Sequence, residues 1–116
     1  LWKGLRMNEV AVVATDHCPF CSADKVRGST FATVPNGIDG VEHRMGLVYQ
    51  GVAAGELTLE RWVETCSTTP ARALGLPGVG VIAEGAMADV VLLDRDFRVV
   101  ATYIAGREVY RQGAAA

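Results

Sequence analysis

The feature that most constrains this chain is a short apolar stretch, Glu9 to Ala14 (E-V-A-V-V-A), that breaks off at Thr15-Asp16-His17-Cys18-Pro19. A β-branched, nearly all-apolar run of this kind suits a strand buried on both faces of a parallel sheet. Pro19 cannot continue a ladder. A carboxylate and an imidazole at the C-terminal end of a strand are the usual placement of chemistry in α/β enzymes. The sequence therefore predicts a strand over 9–14 with functional side chains at its end.

The rest of the chain reads as a loop, helices and then strands. Between Pro19 and Gly40, the residues Gly28, Ser29, Thr30, Pro35, Asn36, Gly37 and Gly40 are too turn-rich for a long regular element, and loops of this length are commonly functional. Val41, Met45, Val48 and Val52 share one helical face, which predicts a helix over 41–52. A second helix is expected from Thr58 as N-cap, with Glu60 in its first turn and Leu59, Trp62, Val63 and Cys66 as an apolar stripe. Thr69-Pro70 to Gly75 predicts a separate third helix, capped by Thr69 and ended by glycine. Beyond Leu76, the stretches 89–94, 98–104 and 107–110 read as strands, with a tight turn at Ala105-Gly106 and with Asp89 and Asp94 marking turns. The tail over 113–116, which ends in three alanines, is expected to fray.

Composition narrows the class. In 116 residues, 50% are hydrophobic and 21% charged, which fits one small domain or a slice of a larger one and excludes a disordered tail. The net charge is −2 with Lys and Arg scattered, so neither nucleic acid nor an anionic membrane is an expected partner. The runs Val10–Ala14 and Val90–Leu93 fall far short of the roughly twenty apolar residues that span a bilayer. With no secretory leader pattern and an odd count of three cysteines, the expected compartment is the reducing cytoplasm. The chain opens on Leu1, not Met, which reads as a piece of a longer protein.

Several residues could carry chemistry. Asp16 and His17 could bind a metal or move protons; alternatively Asp16 caps the next turn and His17 is a satisfied, partly buried side chain. Cys18-Pro19-Phe20-Cys21 has the form of a thioredoxin-like site, and Thr33-Val34-Pro35 imitates the proline segment facing one. Only residues 22–32 intervene, however, where such folds place a helix and a strand, so the spacing disfavours a redox site. A zinc knuckle on His17, Cys18 and Cys21 lacks a well-spaced fourth ligand, with His43 and Cys66 the only soft candidates. His43 reads better as part of a solvated helix face.

Taken together, Ala14-Thr15-Asp16-His17-Cys18-Pro19-Phe20, the segment Val34-Pro35-Asn36-Gly37-Ile38-Asp39-Gly40-Val41-Glu42-His43-Arg44-Met45 and Ser67-Thr68-Thr69-Pro70-Ala71 resemble the dihydropyrimidinase/D-hydantoinase family of amidohydrolases. The resemblance implies an α/β fold, the C-terminal piece of a metal-dependent (β/α)8 TIM barrel: last strand, long loop and helices over 1–76, then strands of a small outer β domain over 77–112. It implies hydrolysis of a small cyclic amide or imide substrate by a metal-bound hydroxide, with Asp16 as metal ligand and proton shuttle. Asn36 would hydrogen-bond the ring through its backbone, held by Pro35 and Gly37. The implied cofactor is a divalent metal, a binuclear zinc centre, and the implied assembly a homo-oligomer, a tetramer. His17 and Cys18 would support the loop, and Glu42 and Arg44 would form a structural ion pair.

Departures from that pattern leave two alternatives. The chain lacks the H-x-H pair, the barrel lysine and the other metal-binding histidines, so alone it is expected to be inactive, and a non-catalytic interaction module is one competing reading. The segment Gly85 to Asp94 followed by Val99 to Gly106 looks more like N-acetylglucosamine-6-phosphate deacetylases, another amidohydrolase group.

Overall fold

The computed structural model describes residues 1–114. Helix α1, Trp2–Arg6, buries Leu5 in the centre of the core. The following stretch departs from expectation: residues 9–14 form no strand. A strand exists only through a ladder partner, and here the backbone groups are met by helices instead. Arg61 donates from Nε to the Leu5 carbonyl at 2.7 Å and from Nη2 to the Val10 carbonyl at 2.9 Å. Val13 donates its amide to the Thr65 carbonyl at 3.2 Å, and its own carbonyl accepts from Arg44 Nη1 at 3.0 Å. The N-terminal segment is thus stitched to the helices by two guanidinium groups, which offer several donors in a fixed fork.

The long loop contains one helical turn, α2, Ser22–Lys25. Helix α3 spans His43–Ala53, so it starts later than the spacing suggested, and Val41 lies outside it at 63% exposure. Met45, Val48 and Val52 do pack on the core. The expected Glu42–Arg44 pair does not form: Glu42 lies 3.6 Å from His43, and Arg44 turns inward to backbone carbonyls.

Thr58 caps α4, Leu59–Val63, by accepting the Arg61 amide at 3.1 Å. Its apolar stripe is narrower than expected, since Trp62 and Cys66 are buried while Leu59 is 53% exposed. The third helix is not separate. A π-helical turn, Glu64–Thr68, runs from α4 straight into α5, Thr69–Ala73, and Thr69 sends its amide back to the Glu64 carbonyl instead of capping. Past Leu74, Gly75 takes a φ of +67° while the Gly75 and Leu76 amides close on the Arg72 and Ala71 carbonyls, the glycine-terminated stop anticipated from the sequence.

The C-terminal part is a three-stranded antiparallel sheet in the order β1 (Val90–Leu93), β2 (Val99–Ile104), β3 (Arg107–Arg111). Val90 pairs with Tyr103 and Ile104 with Arg107. Ala105 and Gly106, at φ +49° and +75°, make the two-residue turn whose twist matches the strands. Asp89 and Asp94 do mark turns: Asp89 accepts the Ala105 amide, and Asp94 accepts those of Asp96 and Arg98. The expected frayed tail reaches residues outside those described; Ala114 donates to the Arg111 carbonyl at 3.3 Å.

The core gathers Leu5, Val48, Leu57, Trp62 and Cys66, with Phe97 inserted from the turn between β1 and β2. Around it the chain is open. Its radius of gyration is 17.1 Å, against about 13 Å for a compact domain of similar length. A groove of about 1650 Å³, lined in part by Met45, Leu74, Leu76, Val81, Ile82 and Val91, lies between α3, α5, the segment 76–82 and the sheet. Among the described residues, no helix is long and apolar enough to cross a membrane.

Candidate functional site around Asp16

Asp16 sits at φ +49°, in the left-handed region. Few side chains adopt it; Asp is among those that tolerate it best. The cost is on the order of 1 kcal/mol, and such residues concentrate at functional sites.

Its neighbours hold the position. Thr15, not Asp16, caps the local turn, its hydroxyl accepting the His17 amide at 3.2 Å. His17 is satisfied, as one reading anticipated, yet it is exposed and not partly buried. Its Nδ1 accepts the Gly40 and Val41 amides at 3.0 and 3.3 Å. That contact leaves the imidazole proton on Nε2 and spends His17 on loop architecture. Cys18 donates its amide to the Ile38 carbonyl at 3.2 Å. The anchors fall on the neighbours, and the Asp16 residue itself stays exposed to solvent.

These same bonds bring Asn36 into the neighbourhood. Gly37, at φ +93°, lies so close to Cys18 that an added Cβ would stand 2.4 Å from Cys18 Cβ, so only glycine fits there. On either side of Asn36, the Pro35 and Gly37 carbonyls both accept from Lys25 Nζ. Lys25 also stands 5.2 Å from the centre of the Phe20 ring, close enough for cation–π attraction. Sequence reasoning passed over Lys25, because a lone lysine in a polar loop carries no local signal. The clamp fixes the backbone on both sides of Asn36, whose side chain is exposed.

The thiols take no part in a bridge: Cys18, Cys21 and Cys66 are all free. Burial pushes the Cys66 thiol above its ordinary pKa, against the lowering influence of the Thr65 hydroxyl and of Arg44.

Among the described residues, no group of three His, Cys, Asp or Glu side chains could hold a metal ion. A metal centre needs at least three protein ligands as a rule. Asp16 has the right chemistry to be one oxygen ligand of such a set, and this chain's residues do not complete it.

Comparison with known proteins gives three concordant results. Residues 3–109 match the amidohydrolase family. The D-hydantoinase of Streptomyces coelicolor is 52% identical over 97 residues, and the D-phenylhydantoinase of Escherichia coli 46% identical over 98, each match covering 81% of this chain and 21% of the relative. The chain therefore spans about a fifth of the length of these curated relatives. In structure it resembles the D-hydantoinase (dihydropyrimidinase) from Thermus sp., with a TM-score of 0.90, 31% identity and coverage of 99% of this chain and 31% of that one. The dihydropyrimidinase from Brevibacillus agri NCHU1002 is similar, with a TM-score of 0.88, 30% identity and coverage of 95% and 30%.

Proposed function

The chain belongs to the amidohydrolase family, and on that premise we propose that it forms the part of a cyclic amidase that presents Asp16 to a hydantoin or dihydropyrimidine ring. The observation that carries this reading is the pose of Asp16: an exposed carboxylate at a left-handed backbone position, anchored through Val13 and His17, two residues before the Cys18 that packs against Gly37 of the clamped Pro35-Asn36-Gly37 turn.

In the proposed reaction, Asp16 takes the proton of the attacking water and passes it to the ring nitrogen that leaves as the C–N bond breaks. Asn36 contributes backbone hydrogen bonds to the ring imide, its geometry held by Lys25 and by the Gly37–Cys18 contact. A divalent metal, a zinc pair in this reading, would polarise the ring carbonyl and bring the pKa of a water towards neutrality. Asp16 would be one of its ligands, the others lying outside this chain.

We read residues 1–76 as the closing part of a (β/α)8 barrel and 77–112 as part of a small β domain. The open shape and the exposed side chains of Leu74, Leu76, Val81 and Ile82 support this, because they leave apolar surface for other barrel elements to cover. The whole protein is read as a cytoplasmic homotetramer. The hydantoinase names of the relatives support a cyclic amide substrate over an N-acyl amino sugar.

The test is ring opening of phenylhydantoin and dihydrouracil by the full-length protein, with and without added zinc or manganese. Metal-dependent opening of either ring is expected. A folded, metal-loaded protein that opens neither but deacetylates an N-acetyl amino sugar phosphate would overturn the substrate class.

A further inference from the structure

The π-helical turn and Arg44 form a device whose parts converge on Val13. In an α-helix the Thr65 carbonyl would take the Thr69 amide, and the Cys66 carbonyl the amide of residue 70. Here Thr69 is diverted to Glu64, and Pro70 has no N–H to give. The two freed carbonyls find partners outside the helix. Thr65 accepts from the Val13 amide at 3.2 Å, and Cys66 accepts from Arg44 Nη1 at 2.9 Å. The same Nη1, which carries two hydrogens, donates to the Val13 carbonyl at 3.0 Å. Both backbone groups of Val13 are thereby occupied, one by the π turn directly and one through Arg44.

A second anchor lies on the far side of Asp16. His17 is held by the Gly40 and Val41 amides, just ahead of α3, and Arg44 sits in the first turn of that helix. Residues 13 and 17 are therefore both tied to the segment 40–44, and the left-handed Asp16 lies between the ties. A guanidinium fits the first tie because one nitrogen can bridge two neutral carbonyls while the charge stays partly solvated.

We infer that Arg44 is a positioning residue: together with the π turn ahead of Pro70 it holds Val13 and so sets where the Asp16 carboxylate points. This rests on the reading of Asp16 as the proton-transferring carboxylate. A displacement of about 1 Å in such a group can cost on the order of a hundredfold in rate, so a tie three residues away is enough to matter.

The experiment uses the full-length protein and the variants Arg44→Met, Arg44→Lys and Pro70→Ala. Amide hydrogen exchange is read over residues 13–17 and, as a core reference, over 59–66, alongside phenylhydantoin kinetics. For Arg44→Met, exchange over 13–17 is expected to rise by about tenfold or more with the core reference unchanged, and kcat to fall by about a hundredfold with KM held within about threefold. Arg44→Lys, which keeps a multi-donor cation, is expected to recover part of both effects. Pro70→Ala leaves Arg44 in place but gives Cys66 a donor within the helix, and it too is expected to raise exchange over 13–17. Unchanged exchange over 13–17 in Arg44→Met would overturn the inference, as would exchange rising equally in the core or KM moving with kcat. If Arg44→Met does not fold, Lys and Pro70→Ala decide by the same readouts. A wild-type protein that opens no cyclic amide would sink the functional reading instead, and exchange over 13–17 would still decide whether Arg44 holds Val13.

Discussion

The ring of Phe97, on the turn between β1 and β2, lies stacked on the ring of Tyr49 in α3, with centroids 4.2 Å apart and planes 16° from parallel. Trp62 meets the same Phe97 edge-on at 5.2 Å. Phe97 adopts φ +64° to reach this place, so its packing outweighs an unfavourable backbone conformation. The three rings, with Leu93 of β1, form an apolar link between the C-terminal sheet and the helices.

Phe97→Ala is expected to lower stability by about 2–4 kcal/mol, the range for removing a large, partly buried aromatic ring. Chemical denaturation of the full-length protein, followed by tryptophan fluorescence, checks it. A shift under about 0.5 kcal/mol would show that the sheet is held by other contacts.

The Thr58 cap offers a local test. Thr58→Ala removes the acceptor for the Arg61 amide and is expected to cost about 1 kcal/mol. Glu60 follows Thr58 in the first turn; its own backbone amide and then the Thr58 hydroxyl hold its carboxyl below the usual carboxylate range. The folded pKa is depressed, so this contribution is present above the ordinary value of 4.5 and is lost as pH falls through the folded pKa. The difference between wild type and Thr58→Ala should therefore narrow in acid, as read from denaturation curves across pH 3 to 7.

Cysteine reactivity separates Cys21 from Cys66. Cys21 is exposed and Cys66 buried, and burial raises the Cys66 pKa above its ordinary 9.0. A thiol-specific reagent at neutral pH should modify Cys21 readily and Cys66 only on unfolding. The raised pKa means that the neutral thiol is favoured in the fold. Its contribution is complete below pH 9 and is lost as pH rises through the folded pKa, so Cys66→Ala should lessen alkaline destabilisation.

Gly37→Ala tests the turn that carries Asn36. The new methyl would overlap Cys18 Cβ at 2.4 Å and disfavour a φ of +93°, so the segment around Asn36 must shift. If Asn36 binds the ring, KM for phenylhydantoin should rise by about tenfold with a smaller change in kcat. An unchanged KM would remove Asn36 from the binding role.

What could be read from the sequence was whatever is encoded locally. Thr58, Gly75 and the Ala105-Gly106 turn each act within a few residues, and their places in the structure match the expectation. The stretch 9–14 was misread because its composition reports burial and strand propensity, whereas a strand needs partners that pattern alone does not supply. The merged helix was missed for a related reason: Pro70 looks like a helix start, yet the π turn ahead of it lets the helix pass through. Arg44 and Lys25 were illegible because their partners, the carbonyls of Val13, Cys66, Pro35 and Gly37, are backbone groups distant in sequence. Asp16 stood out because three motifs in order pointed to it, although nothing local foretold its left-handed backbone.

The most direct measurement is phenylhydantoin and dihydrouracil hydrolysis by the full-length protein and its Asp16→Asn variant, with bound metal quantified in both. Asparagine keeps the size of the side chain and its tolerance of φ +49° but cannot accept the proton. A fall in kcat of about 10² to 10⁴, the usual contribution of a general acid–base group, with an unchanged unfolding midpoint, is the expected result. A metal-loaded Asp16→Asn protein that opens the ring within about threefold of the wild-type rate would contradict the role given to Asp16.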